Sequence, residues 1–464
     1  MRDLPTSIRK LRVRDPELSQ AAARLCEDVA AAGGRALLVG GSVRDALLGQ
    51  DLEDLDFEVF GLAPDQLVSV LEKRFSLDLV GRSFGVLKLK GLDIDVALPR
   101  RESKRGLGHR GFEVHSDPDM TFDEAARRRD FTINAMGWDP LSHELLDPAN
   151  GRSDLAGRVL RHVSHQFSED PLRVLRGMQF AARFELRAAS ETVALCRTID
   201  PEDLPPERLF AEWRKLLIRG RRISNGLTFL RDTGWLRHYP ELQALVHCPQ
   251  DRGWHPEGDV WVHTLHVLDA FAETRTGDDE EDLIVGLACL CHDLGKPLTT
   301  VFRGGHWRSP GHEHEGETPT RSFLARLTDS RKLVDQVVPL VREHMNPYAL
   351  WRDQASPAAI RRLARRVGRI DRLVRVCRAD HMGRPPLPFD GFPAGRWLLD
   401  RAAELDLRDQ APEPVLKGRH LIALGRAPGP GFGPILDAAF EAQLDGAFDT
   451  EEEGVHWLER NLKG

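Results

Sequence analysis

The sequence predicts an α+β chain in which a small mixed-sheet head precedes a long, purely helical body. Three observations carry this. Short β-like runs, "RALLV" (35–39), "DLDFEVF" (54–60), "GVLKLKG" (85–91) and "LDIDVAL" (92–98), all fall within the first hundred residues. From about residue 152 onward only amphipathic helical patterns follow. Proline-rich joints near 201–206, 385–393 and 427–434 divide that helical run. At 464 residues the chain exceeds one ordinary core, and about two to four domains are expected.

Residues 13–33 read as an opening helix closed by "GG". "RALLV" follows as a buried strand, and "GGSVRDALLG" (40–49) as a glycine turn entering a short helix, with Ser42 as its candidate N-cap. "DLDFEVF" is the next strand, "APDQLVSVLEKRF" (63–75) a helix, and residues 85–98 a hairpin. The connection from Arg100 to Thr121 is long, polar and rich in Gly and Arg, the composition of a mobile loop.

Hydrophobic content of 41% and charged content of 30% describe a soluble globular protein. No apolar run approaches a membrane span, and the first twenty residues lack the apolar core of a signal peptide. Six scattered cysteines point to a reducing, cytoplasmic setting. Cys289 and Cys291 stand too close for an easy disulfide and read as helix packing. The net charge of −7 disfavours nucleic acid only on average. Residues 101–112, 127–130, 214–222 and 360–378 are basic, while 278–282 and 451–453 are acidic. Local fields decide whether a polyanion docks.

The carboxylates carry the first chemistry. On a strand Asp54 and Asp56 point to one face, where two like charges need a neutralising partner. Mg²⁺ with a bound triphosphate is such a partner. Asp95, preferred to Asp93, supplies a third acid from a neighbouring strand, so that two metals can share the site. Gly40 and Gly41 let the backbone approach a triphosphate, whose charge the helix N-terminus favours.

The second chemistry lies in successive His/Asp stations: "WVHTLHVL" (261–268), "CHDLGKP" (291–297), "GHEHEGE" (311–317) and "RADHMGR" (378–384). His-Asp doublets joined by distant His and Asp bind one or two divalent metals and activate a water.

The head resembles the class II tRNA nucleotidyltransferases, the CCA-adding enzymes of the DNA polymerase beta superfamily. "LVGGSVRDALLG…DLEDLDFEVFG" looks like their motif A, "RRDFTINAM" (128–136) like motif B, and "EDPLRVLRGMQFAARF" (169–184) like motif D. "DPANGRSDL" (147–155) is similar to the hinge motif, with Asn150-Gly151 where the family often has two glycines. "ERLFAEWRKLL" (207–217) looks like the helical motif supporting motif D. The resemblance implies a polymerase-beta-like head that adds CCA to tRNA from CTP and ATP without a nucleic-acid template. It makes Asp54, Asp56 and Asp95 catalytic, with Mg²⁺ on the first two. Gly40, Gly41, Arg44, Arg128, Asp130, Asn134 and Arg176 would hold triphosphate and ribose, and Glu169, Asp170 and Arg173 would select the base. Asp170 and Arg173 lie three apart, on one helical face; Arg can donate to cytosine O2 and N3 while Asp accepts from its amino group. Arg100 and Glu102 fall where the family has its Arg-x-Glu on the flexible loop, whose full length favours complete CCA addition over a CC-adding specialist. "GRSFGVLK" (81–88) departs from the "GRRF"-like segment of bacterial poly(A) polymerases.

The His/Asp stations resemble the HD phosphohydrolase domain, which a subgroup of bacterial CCA-adding enzymes carries. His263, His292, Asp293 and Asp380 are then the minimal metal set, with His312 and His314 as candidates for a second metal or phosphate and His344 a weaker one. Lys296 is placed to contact a substrate phosphate. The metal is a divalent transition ion (Ni²⁺, Mn²⁺ or Co²⁺) or Mg²⁺, and the implied activities are phosphatase and 2′,3′-cyclic phosphodiesterase. The expected domains are an N-terminal helix (1–33), the catalytic head (34–151), a helical neck for nucleotide selection (152–245), the HD-type domain (246–400) and a helical tail (401–464). The basic stretch 360–378 admits two readings: a face that tracks tRNA, or a surface helix offset by Asp371 and Asp380. A phosphohydrolase whose head only binds RNA, and a noncatalytic RNA-binding protein, are the readings from other classes. The oligomeric state stays open between monomer and homodimer.

Overall fold

The structure, a computed structural model, describes residues 12–78, 86–104, 112–201, 204–389 and 391–462. The chain forms two compact units: Met1–Leu216 with Asn225–Trp235, and Leu217–Ser224 with Leu236–Gly464.

The first unit opens on α1 (Pro16–Ala31), whose start is set by Asp15 accepting a hydrogen bond from Glu17 N at 2.8 Å. Leu18, Leu25 and Val29 bury its apolar stripe. β1 (Arg35–Val39), α2 (Gly41–Leu47), β2 (Leu55–Phe60) and α3 (Pro64–Leu71) follow. Next come the short strands β3 (Leu77–Asp78), β4 (Val86–Leu89) and β5 (Ile94–Ala97), then β6 (Arg100–Lys104) and β7 (Phe112–Ser116). After α4 (Phe122–Ala126) the last two strands of the main sheet are β8 (Gly137–Trp138) and β9 (Leu145–Leu146). The seven-stranded sheet runs β3-β4-β5-β2-β1-β8-β9, and β2 and β5 are parallel among antiparallel neighbours. This is the mixed sheet the sequence predicts. Its register sets Asp56 beside Asp95.

Three local expectations change. Gly40, not Ser42, caps α2: it takes a positive φ of 68°, and a Cβ there would stand 3.0 Å from Arg129 Nη1. Ser42 is freed to bind the next strand, its hydroxyl accepting from Asp56 N at 3.2 Å. The stretch from Arg100 is not all loop, because β6 and β7 form an antiparallel ribbon with Arg100 opposite Ser116 and Glu102 opposite Val114. A local ladder satisfies backbone groups that polar composition alone suggested were solvated. Residues 105–111 of this connection, and 81–85 of the segment compared with poly(A) polymerases, lie outside the described residues. Finally, the region after 152 is not purely helical. A two-residue parallel pair joins Val159–Leu160 to Arg187–Ala188, and a ribbon pairs Val301–Arg303 with His306–Arg308.

Asn150 explains the departure in the hinge-like motif. Its φ of 57° is left-handed, a conformation that Asn tolerates better than most residues and that glycine would otherwise provide. Asp147 fixes the turn by accepting from Gly151 N at 2.6 Å and Arg152 N at 3.0 Å.

In the second unit, the helices Val260–Glu273, Asp279–Cys291, Arg331–Glu343 and Ile370–Met382 bury Trp261, Phe271, Leu287 and Leu373. A terminal cluster of Leu416, Leu421, Phe448 and Leu458 forms a further small core. All six cysteines are buried free thiols, and burial pushes the thiols of Cys289 and Cys291 up, in keeping with packing.

The basic stretch 360–378 is broken at Gly368, between the helices Pro357–Val367 and Ile370–Met382. Its arginines other than Arg378, which lies over the Phe389 ring, are engaged by carboxylates of the same unit. Arg362 meets Glu441 and Asp445, Arg365 meets Glu441, and Arg366 meets Glu343. Arg369 and Arg372 share Glu281, and Arg375 reaches Asp282. Asp371 does offset Arg369, at 2.7 Å, whereas Asp380 turns to a different cluster.

Candidate functional site

Two centres stand out, one in each unit. In the first, a cavity of about 560 Å³ is lined by Gly40, Gly41, Arg44, Asp54, Asp56, Asp130, Asn134, Asp170, Arg173 and Arg176, all anticipated from sequence. Asp54 and Asp56 are exposed at its edge, where β2 begins. The Asp56 carboxyl is raised above its usual value, first because surrounding protein displaces water, then because Asp54 and Asp95 oppose its charge; Arg129 and Lys88 act the other way. Asp95 lies next to Asp56 but is held by Lys88, whose Nζ is 2.7 Å from both carboxylate oxygens. The crowded carboxylates of Asp54 and Asp56, beside an Asp95 already held by Lys88, suit a hard divalent cation.

Behind them runs a buried polar chain. Arg44 donates to Asn134 Oδ1, and Asn134 Nδ2 donates to Asp130 Oδ1 at 3.0 Å. Asp130 Oδ2 pairs with Arg176 at 2.7 Å. Burial opposes ionisation of Asp130, yet Arg176, Asn134 and the Phe131 amide outweigh it and hold the carboxyl below its usual range. These four residues therefore form the cavity floor as a mutually satisfied set.

The base-reading pair departs from expectation. The helix Leu172–Arg183 begins after Pro171, so Asp170 lies ahead of it in extended conformation rather than on its face. Asp170 accepts from Leu172 N at 3.0 Å and meets Arg208 at 3.3 Å. Arg173 donates to the carbonyls of Arg128 and Gln166, at 2.7 and 2.8 Å. Both still line the cavity, but Glu169 and Arg128 do not. Glu169 is exposed at the end of a 3-10 turn, His165–Glu169. Arg129, Gln179, Arg183, Arg208 and Lys215 also line the cavity and were not anticipated. The adjacent arginines of 127–130 were signal enough for Arg129; Arg208 and Lys215 lay within the helical motif already noted.

The second centre gathers His263, His292, Asp293, His312, His344 and Asp380. His263 starts from a helix capped by Asp259, which accepts from Val262 N at 3.0 Å. His292 and Asp293 follow the helix Asp279–Cys291, and Gly295 allows their turn to abut the next station, since a Cβ there would lie 2.0 Å from the His312 carbonyl oxygen. Three imidazoles share one device. Each donates Nδ1–H to a carbonyl three residues upstream: His292 to Cys289 (2.8 Å), His312 to Ser309 (2.8 Å) and His344 to Val341 (2.6 Å). Their Nε2 atoms are thereby left to face inward. His312 and His344 Nε2 are 3.2 Å apart, and His312 Nε2 is 3.4 Å from Asp293 Oδ1. His263 Nε2 lies 3.0 Å from Asp380 and 3.9 Å from Asp293.

Buried His292 Nε2 and Asp293 Oδ1 have no hydrogen-bond partner. Lys296 Nζ, 2.8 Å from Asp293 Oδ2, supplies charge to that carboxylate. Burial opposes ionisation of Asp293, but His292 and Lys296 hold it well below the carboxylate range. Burial pushes His344 down to about 3, helped by His312 and His292, so it is neutral and a competent ligand. Burial would likewise lower His263, but Asp380 and Glu257 raise it to about 9. Orphaned acceptors beside the neutral His344 fit a divalent transition ion. Two groups of ligand atoms, His263/His292/Asp380 and Asp293/His312/His344, each fall within 4.8 Å. His314 is outside: it is exposed, 3.8 Å from Glu313. Glu257, 2.8 Å from His263 Nδ1, was not anticipated and had no signal of its own in the sequence.

The poly A polymerase head domain family matches residues 36–161 and the HD domain family residues 260–376. A multifunctional CCA protein of Laribacter hongkongensis is 39% identical over 388 residues, 81% of this chain and 92% of that one. One of Xanthomonas campestris is 39% identical over 415 residues, 87% and 96% of the two chains. Among solved structures, the Bacillus stearothermophilus CCA-adding enzyme in complex with CTP is similar in fold, with a TM-score of 0.65, 24% identity and coverage of 97% and 98%. The Thermotoga maritima CCA-adding enzyme complexed with tRNA gives 0.57 at 19% identity, covering 97% of each chain. Among the described residues no helix is long and apolar enough to cross a membrane.

Proposed function

This chain belongs to the family of multifunctional CCA proteins, and on that premise we propose that it adds cytidine, cytidine and adenosine to the 3′ end of tRNA from CTP and ATP. The observation that carries this reading is the shared cavity: Asp54 and Asp56 stand at one edge, and Asp170 and Arg173 belong to the same lining. Seven cations (Arg44, Arg129, Arg173, Arg176, Arg183, Arg208, Lys215) against four carboxylates (Asp54, Asp56, Asp130, Asp170) suit a triphosphate.

In the reaction the tRNA 3′-hydroxyl oxygen bonds to the α-phosphorus, the bond to the bridging oxygen breaks, and pyrophosphate leaves as the hydroxyl proton is released. Asp54 and Asp56 would hold Mg²⁺, which when bound supplies charge neutralisation and a more acidic hydroxyl. The Asp130–Arg176 floor keeps the cavity open, and Arg44 is fixed by Asp45 at 2.8 Å and by stacking on Phe184. Asp170 accepts from a base amino group, and Arg173 donates to its acceptors once their present partners exchange.

In the second unit His263, His292, Asp293, His312, His344 and Asp380 would hold a divalent ion (Ni²⁺, Mn²⁺, Co²⁺ or Mg²⁺) that supplies an acidified water for phosphate-ester hydrolysis. Lys296 offers its charge to the substrate phosphate beside Asp293. The work is cytoplasmic, in keeping with six free thiols.

The test is incorporation into a tRNA transcript ending at its discriminator base, with Mg²⁺ and labelled CTP alone, ATP alone, then both. Growth by three nucleotides only with both supports complete CCA addition. Arrest after two cytidines would mark a CC-adding specialist and discard the argument from the stretch bearing Arg100 and Glu102. Long adenosine tails would mark a poly(A) polymerase. No incorporation would leave a phosphohydrolase whose head only binds RNA.

A further inference from the structure

Among the described residues, eleven large apolar side chains are exposed, and four of them (Trp254, Trp307, Met345, Tyr348) line a single cavity. That cavity, about 570 Å³, lies over the second centre, with Asp293, Lys296, His312, His344 and Asp380 also in its lining. Trp254 is 72% exposed and Tyr348 59%, so neither serves the core. Water-facing aromatic surface of this extent over an ionic floor is unfavourable unless a ligand covers it. One more group is unsatisfied. Gln250 is buried, its Oε1 accepts from Lys296 at 2.6 Å, yet its Nε2 has no partner and the residue lines the same cavity.

A ligand that answers all three features has a phosphate for the ionic floor, polar oxygens for Gln250 and a flat aromatic group for the walls. A small phosphate ester leaves the walls uncovered, whereas a ribonucleoside phosphate does not. We propose that Trp254 and Tyr348 form a base-stacking subsite that makes ribonucleoside phosphates the preferred substrates of the second centre. This rests on the hydrolase reading given above and adds to it the residues that set specificity. Stacking tolerates any base, so selection among the four should be weak. The ribonucleoside phosphate can be a free nucleotide or the end of an RNA chain.

The experiment uses the full chain with Mn²⁺ and three substrates: 2′,3′-cyclic AMP, an oligoribonucleotide ending in a 2′,3′-cyclic phosphate, and glycerol 1,2-cyclic phosphate. In each, a water oxygen bonds to phosphorus, one ester bond breaks and the released oxygen takes a proton. Trp254→Ala and Tyr348→Ala are expected to raise KM for cyclic AMP about tenfold or more, with kcat within about twofold, from the usual worth of base stacking. The glycerol ester should be hydrolysed with unchanged constants, and Trp254→Phe and Tyr348→Phe should restore most of the loss. A KM loss confined to the oligonucleotide identifies the RNA end as the source. Equal effects on the glycerol ester, or none on any substrate, overturn the proposal. If wild type hydrolyses none of them, the hydrolase reading fails, and equilibrium dialysis with labelled cyclic AMP decides the subsite. Tenfold weaker binding by Trp254→Ala upholds it; equal binding, or none by wild type, overturns it.

Discussion

Replacing Asp130 by asparagine tests the cavity floor, because it removes one charge while keeping the shape. The amide introduced by Asp130→Asn can still accept from Phe131 N and face Asn134, the contacts that Asp130 makes at 2.7 and 3.0 Å. What changes is Arg176, left without its carboxylate 2.7 Å away. Stranding one partner of a buried ion pair costs about 3–5 kcal/mol. Arg176 keeps 35% of its side-chain surface in solvent, against 6% for Asp130, so water screens the stranded charge and about 2–3 kcal/mol is expected. For a unit of this size that is roughly 4–12 °C in the melting temperature. Calorimetry on wild type, Asp130→Asn, Arg176→Met and the double variant is the assay. The double variant should recover most of the loss, since a neutral pair strands nothing. The pH dependence follows from the depressed carboxyl of Asp130. A group whose folded pKa lies below its unfolded value, about 3.9, stabilises fully above that value and loses the contribution as pH falls through the folded one. The gap between wild type and Asp130→Asn should therefore stay constant from about pH 8 to about pH 5 and close below about pH 4. A single variant that melts with wild type, or a double variant as unstable as the single, would refute the reasoning.

His344→Ala should lower transition-metal affinity at least tenfold, read as metal content after dialysis, while circular dichroism keeps the helical signal; unchanged metal content would remove His344 from the cluster. Gly295→Ala places a Cβ 2.0 Å from a backbone oxygen, and it should abolish phosphatase activity and metal loading; full activity would mean that the turn shifts freely. Arg362→Ala with Arg365→Ala should leave tRNA affinity within about twofold, because both side chains already serve Glu441. A drop of about two in the slope of log affinity against log salt would show instead that both meet phosphate.

The sequence made the local chemistry legible and left the pairings illegible. Asp54 and Asp56 were readable from the two-residue period of a strand, although the strand begins at Leu55 and Asp54 stands one residue ahead of it. The doublet His292–Asp293 was readable because its two members are adjacent in the chain. His344 was readable only as a weaker candidate, because its membership depends on a helix end brought to His312 across 32 residues. The Asp170–Arg173 pair was placed on one helical face from spacing alone, whereas Pro171 starts the helix and leaves Asp170 outside it. The basic stretch shows the same limit on a larger scale. Its charge was visible, but most of its partners, Glu281, Asp282, Glu441 and Asp445, stand 76 to 93 residues away in the chain. Side chains advertise charge; only the fold assigns the partner.

The tethers on His292, His312 and His344 end on main-chain oxygens. A carbonyl has no codon of its own. No substitution at Cys289, Ser309 or Val341 deletes the atom that orients the imidazole, so those positions can drift while ring orientation is kept. Spacing has no such latitude. One residue inserted between Val341 and His344 would rotate the ring about 100° around its helix and turn its inward nitrogen away. The second centre is thus buffered against exchange of residues and exposed to changes in chain length, and a family built this way should vary in letters long before it varies in register.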